Sequence, residues 1–125
     1  MMSPCKGGGG VQPVADLLRR ALREGDEQGL TQIRSQHLPD DVVADLAKQI
    51  HQYALEHVAG ESSDGWLVCR DGIGPWWCEA AGLTEDEFRR LYKLLTDVVK
   101  RLTEQGLACR RHPQSTLLYV RHDAA

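Results

Sequence analysis

Long apolar runs are missing from this chain. No stretch approaches the ~20 apolar residues that a spanning helix needs, which excludes a transmembrane helix and leaves no membrane partner to expect. Cysteine is sparse as well. Cys5, Cys69, Cys78 and Cys109 form neither a Cys-x-x-Cys pair nor a dense framework, so the disulfide scaffold of small secreted domains is excluded and reduced thiols in a cytoplasmic setting are expected. Cys69, Cys78, Cys109 and His112 can be written together as zinc ligands, but the paired knuckles of structural zinc sites are absent and no metal is expected. Catalytic signatures are lacking too: no Gly-rich phosphate loop follows a strand, there is no HExxH, and no Ser or Cys stands in a nucleophile motif. The pairs Asp40-Asp41 and Glu85 to Glu87 fall at helix starts, where the helix dipole accounts for them. An enzyme is therefore not expected, nor a cofactor.

What is present fits one core. A chain of 125 residues with 42% hydrophobic and 26% charged residues can fold as a soluble domain without metal or disulfide staples. Residues 1–10 lack the apolar centre of a secretory signal and end in Gly7-Gly8-Gly9-Gly10, so they read as a flexible arm outside the fold. The formal charge of −3 hides an asymmetry. Residues 1–83 carry 7 Lys and Arg against 12 Asp and Glu, whereas residues 84–125 carry 8 against 6. A basic excess confined to the C-terminal third allows nucleic-acid binding through one face, because phosphate contact depends on where cations sit rather than on the total.

Along the chain, Val14, Leu17, Leu18, Ala21 and Leu22 recur at helical spacing, with Gly25 as the expected stop, and a shorter helix is expected over residues 26–36. These two form an N-terminal helical extension, residues 11–38. Leu38-Pro39-Asp40-Asp41 opens the next helix, whose stripe of Val43, Leu46, Ala47, Ile50, Ala54 and Val58 runs to a stop at Gly60. Trp66-Leu67-Val68-Cys69 reads as a short strand, Pro75 opens a two-turn helix ending at Gly82, and Thr84-x-x-Glu87 is a capping box. From there Phe88, Leu91, Leu95, Val98 and Leu102 form the seam of a long helix over residues 84–105. Gly106 stops it, and residues 107–121 read as a basic hairpin turning at Pro113-Gln114-Ser115.

The order helix, strand, helix, helix, strand, strand, with the turn Ala80-Ala81-Gly82-Leu83-Thr84 between two helices, resembles the winged helix-turn-helix family from Asp40 to Arg121, within an expected domain of residues 39–125. The fold expected is mainly α with a small β-hairpin wing, a winged helix-turn-helix plus two N-terminal helices. The resemblance implies that the second helix of the pair enters a major groove and that the wing touches the backbone. Transferred by position, the candidate nucleic-acid contacts are Arg89, Arg90 and Lys93 on the long helix and Arg110, Arg111, His112 and Arg121 on the wing. Carboxylates at Glu85, Asp86 and Glu87 oppose base readout at the helix start and favour backbone or wing contact. Trp76 and Trp77 point about 100° apart on one helix, so one is expected in the core and one at a partner surface. Residues 105–121, with Leu67-Val68 and Gly72-Ile73, are also similar to the C-terminal region of conjugative relaxases. That likeness implies an accessory role in DNA transfer without the nicking residues. The expected function is duplex-DNA binding in transcription regulation, as a dimer paired through the N-terminal helices; the competing expectation is a protein-interaction module.

Overall fold

The computed structural model describes residues 11–61, 65–69, 73–109 and 119–121. Helix α1 (Val11–Gln28) leads through a 3-10 turn (Ser35–His37) to α2 (Asp40–Glu56), then to strands β1 (Val58–Glu61) and β2 (Leu67–Cys69). Helices α3 (Ile73–Ala80) and α4 (Glu85–Glu104) follow, and strands β3 (Ala108–Cys109) and β4 (Tyr119–Val120) come last. The protein is mainly helical with one small antiparallel sheet, ordered β1-β2-β4-β3. Strand β2, from between α2 and α3, pairs with the C-terminal strand, Leu67 opposite Val120 and Val68 opposite Tyr119. The hairpin strands pair Ala108 with Val120 and Cys109 with Tyr119. The alternation of a pleated strand turns Cys69, Ala108 and Val120 into the core and leaves Val68 and Tyr119 on the outer face.

Helix α2 sits centrally, packed against α1, α3, α4 and the sheet. One buried cluster draws Val14, Leu18 and Leu22 from α1, Leu46 and Ile50 from α2, Trp77 from α3 and Leu91 to Leu102 from α4. The apolar stripe of α1, expected to pair two copies, is therefore spent on the chain's own core.

Three helices stop alike. Gly29, Gly82 and Gly106 take positive φ, and the next residue reaches back five positions, as in Leu30 N–H to the Gly25 carbonyl at 2.8 Å and Leu83 N–H to the Cys78 carbonyl at 2.9 Å. A left-handed residue suits glycine because a Cβ there clashes with the backbone, and the bond from beyond it satisfies an otherwise orphaned carbonyl.

Two expectations are corrected. Gly25 does not end the first helix, and residues 26–36 hold no second helix: α1 continues to Gln28, and only the short 3-10 turn precedes α2. Gly25 is buried for another reason, since a Cβ on it would lie 2.7 Å from Cδ1 of Ile33 as the chain folds back. Nor does α2 run to Gly60. It ends at Glu56, and Val58 opens β1 opposite Cys69, because strand pairing with β2 outweighs a continued helical stripe.

Candidate nucleic-acid interface

Helix α4 begins as the capping box requires. The Glu87 N–H donates to Thr84 Oγ1 at 3.1 Å, and the Thr84 N–H donates to Glu87 Oε1 at 2.8 Å. Arg19 of α1 approaches the same carboxylate at 3.6 Å and donates to the Gly82 carbonyl at 2.5 Å, tying α1 to the turn between α3 and α4. Glu85 pairs with Arg89 at 3.3 Å. Two of the three carboxylates in the first turn thus have cationic partners within the chain, which lowers the negative potential there.

The buried side of α4 consists of Leu91, Leu94, Leu95, Val98 and Leu102. Its exposed residues between Glu87 and Leu102 are Arg89, Tyr92, Lys93, Thr96 and Lys100. At 1.5 Å per residue the three cations cover about 16 Å of one helix face. Asp97, one turn from both Lys93 and Lys100, is half-buried, and its carboxylate accepts from Ser35. Lys93 and Lys100 have no ion-pair partner among the described residues.

Of the residues singled out from sequence, Arg89 and Lys93 are exposed on this face. Arg90 is turned inward: its side chain is 20% exposed, its guanidinium meets Asp26 Oδ1 at 2.7 Å, and it donates to the Leu30 carbonyl at 2.9 Å. The Ile33 N–H in turn donates to the Arg90 carbonyl at 3.0 Å, so this residue clamps the segment after α1 onto α4. Arg121 is half-buried beside the sheet. Its guanidinium lies 4.1 Å from the Trp66 ring centroid, its N–H donates to the Leu107 carbonyl at 2.9 Å, and its carbonyl accepts from His51 Nε2. Arg110, Arg111 and His112 lie outside the described residues.

Trp77 is fully buried and belongs to the core, which removes it as a partner contact. Trp76 is half-buried. Its ring meets His57 edge-on at 5.9 Å, His57 stacks on Tyr53 at 4.0 Å, and the Tyr53 hydroxyl donates to the Trp76 carbonyl at 3.3 Å. Burial, with Glu79 and Glu56 adding to it, pushes the Tyr53 phenol upward.

Sequence reasoning passed over Arg34. Placed inside an expected helix, it lies instead on the link before α2, where it is exposed and lines an open cleft of about 410 Å³ with Lys100, Arg101, Asp97 and Glu104. The Ser35 N–H and Oγ both donate to Asp97 Oδ2, at 3.3 and 3.1 Å, and hold this link against α4. Nothing in the local sequence marks Arg34 as a neighbour of Lys100, because 66 positions separate them. Arg101 pairs with Asp40 at 3.1 Å. No group of His, Cys, Asp and Glu among the described residues has the arrangement of a metal site. No helix there is long and apolar enough to cross a membrane. Compared with known proteins, the chain matches no family model, no curated protein and no solved structure.

Proposed function

We propose that this chain is a winged helix-turn-helix that binds duplex DNA and serves in transcription regulation, with α4 and the hairpin gripping the phosphate backbone. The observation that carries it is the exposed face of α4, where Arg89, Lys93 and Lys100 stand in line and the one carboxylate beside them, Asp97, is half-buried and bonded to Ser35. The strand order supports the architecture: β2 leaves from between α2 and α3 and pairs with β4, which in turn pairs with β3, the connectivity a wing requires. Strand β1 and helix α1 are additions to that plan. Arg34 adds a cation beside Lys100 on a cleft that Asp97 and Glu104 also line.

With cations aligned and few polar groups that discriminate bases, binding rests on counterion release rather than sequence readout. Fluorescence anisotropy of a labelled mixed-sequence duplex, titrated at two salt concentrations, tests this. Binding is expected to weaken with salt, and the double variants Arg89→Ala/Lys93→Ala and Arg110→Ala/Arg111→Ala each reduce the salt slope by about 2, near 1 per lost phosphate contact. Absence of binding at low salt and high protein concentration overturns the proposal.

A second reading is a winged helix used as a protein-interaction module, including an accessory role in conjugative DNA transfer. It is favoured by the open cleft between α3 and α4, where Pro75, Leu83 and Phe88 present apolar surface beside Glu79 and Glu85. Retained protein association in a chain that ignores DNA would decide for it.

A further inference from the structure

We infer that the α3–α4 cleft and the exposed ring of Tyr92 form a self-complementary surface through which two copies of this chain dock. Tyr92 is 49% exposed, the more exposed of the two large hydrophobic residues at the surface among those described. Its ring meets Phe88 edge-on, centroids 6.1 Å apart and planes at 89°. Phe88 also lines the cleft, about 400 Å³ and open to solvent, together with Pro75, Cys78 and Leu83, while Glu79, Thr84 and Glu85 supply its polar edge. An apolar knob and an apolar hole therefore adjoin on one surface and share a residue. Surfaces of that kind close by a two-fold axis, the knob of each copy entering the hole of the other.

The charges agree with this pairing. Lys93 follows the knob and Glu79 stands on the α3 rim of the hole; both are exposed, and neither has an ion-pair partner among the described residues. In a two-fold pair Lys93 of one copy faces Glu79 of the other, twice. Opposite charges at a rim select the partner and register, while the buried ring supplies most of the affinity. The stripe of α1 offers no competing surface, since it is buried within its own chain.

Sedimentation velocity over a wide concentration range tests the inference, because each charge variant fails alone and the mixture recovers. Wild-type protein is expected to self-associate, and Tyr92→Ala to weaken that association at least about tenfold. Lys93→Glu places like charges at both contacts, and so does Glu79→Lys, so each remains monomeric where wild type pairs. Mixed in equal amounts, the two variants put opposite charges at both contacts and associate again, a recovery that also shows both are folded. Circular dichroism checks each variant, and Tyr92→Ala decides alone should a charge reversal unfold the chain. Wild-type protein that stays monomeric, single variants that pair as wild type does, or a mixture no more associated than its parts overturns the inference. Association that appears only with an added basic, apolar peptide does so as well, and makes the cleft a site for a different partner.

Discussion

Arg89 and Arg90 are neighbours in sequence with opposite tasks, because one residue's step turns a helix by about 100°. Arg89 faces solvent and pairs with Glu85 on its own helix, whereas Arg90 holds Asp26 and the Leu30 carbonyl from another segment. Exposed pairs one turn apart contribute little, while a half-buried charge bonded to a carbonyl contributes more. Arg90→Ala is therefore expected to lower unfolding free energy by about 1 kcal/mol and Arg89→Ala by under ~0.5 kcal/mol. DNA affinity should fall in the Arg89 variant. Urea titration and anisotropy on the same two proteins check both halves; equal stability losses would mean that Arg90 does not clamp the link. The buried thiols give a pH test. Burial, helped by Glu87, pushes Cys78 from 9.0 up to about 12, and burial lifts Cys69 to about 11. Cys69 also donates to the Ala54 carbonyl at 3.3 Å. Both are neutral in the folded chain at pH values where the unfolded chain already ionises. Their contribution is whole below about pH 9 and is lost as pH rises toward 11 and 12. Thermal unfolding should become easier across that window, and less steeply in Cys78→Ala; an identical slope in that variant would remove the cause.

At the scale of elements, α1 shows how a glycine misleads. Gly25 lies inside the helix with Ile33 folded back onto it, and the 2.7 Å left between Ile33 Cδ1 and any added Cβ sets two effects against each other. Alanine favours a helix interior by about 1 kcal/mol, but making room beside a buried isoleucine costs about 1–3 kcal/mol. Gly25→Ala should thus destabilise the wild type, yet stabilise an Ile33→Val background that lacks Cδ1. Chemical denaturation of the four proteins in that cycle measures the coupling, and additive effects would show that Ile33 is not the obstacle. The range of each signal explains what the sequence did and did not reveal. Helix α4 was legible because its signals are local: Thr84 and Glu87 cap it, leucines repeat along it, and Gly106 ends it. The strand at Leu67–Cys69 and the turn at Gly82 were legible on similar grounds. The end of α1 fell to Gly29 rather than Gly25, a choice between two glycines that local spacing did not decide, and β1 depended on a partner strand. At the candidate site, Arg89 and Lys93 were found by helical phase. The inward turn of Arg90, the burial of Trp77 and the approach of Arg34 to Lys100 are set by tertiary packing, which periodicity does not encode.

At the scale of the whole molecule, charge is sorted by surface. The net −3 coexists with exposed cations on α4, while several acidic residues occupy helix starts or pair with Arg19, Arg90 and Arg101, and Glu79 and Glu85 rim the α3–α4 cleft. Lys93 belongs both to the face proposed for DNA and to the surface proposed for a second copy. A residue buried between two copies cannot reach a phosphate, so the two events compete, and linkage makes each weaken the other by the same factor. Tyr92→Ala, which loses the knob without losing a cation, is then expected to bind duplex DNA more tightly than wild type at concentrations where wild type pairs. The two should bind equally well once diluted to monomers. Anisotropy titrations at low and high total protein, with sedimentation on the same mixtures, separate the cases. Tighter DNA binding by the paired form would place the pairing surface away from α4. Failure of DNA binding in both proteins, with pairing intact, would remove the DNA proposal and leave the docking surface standing.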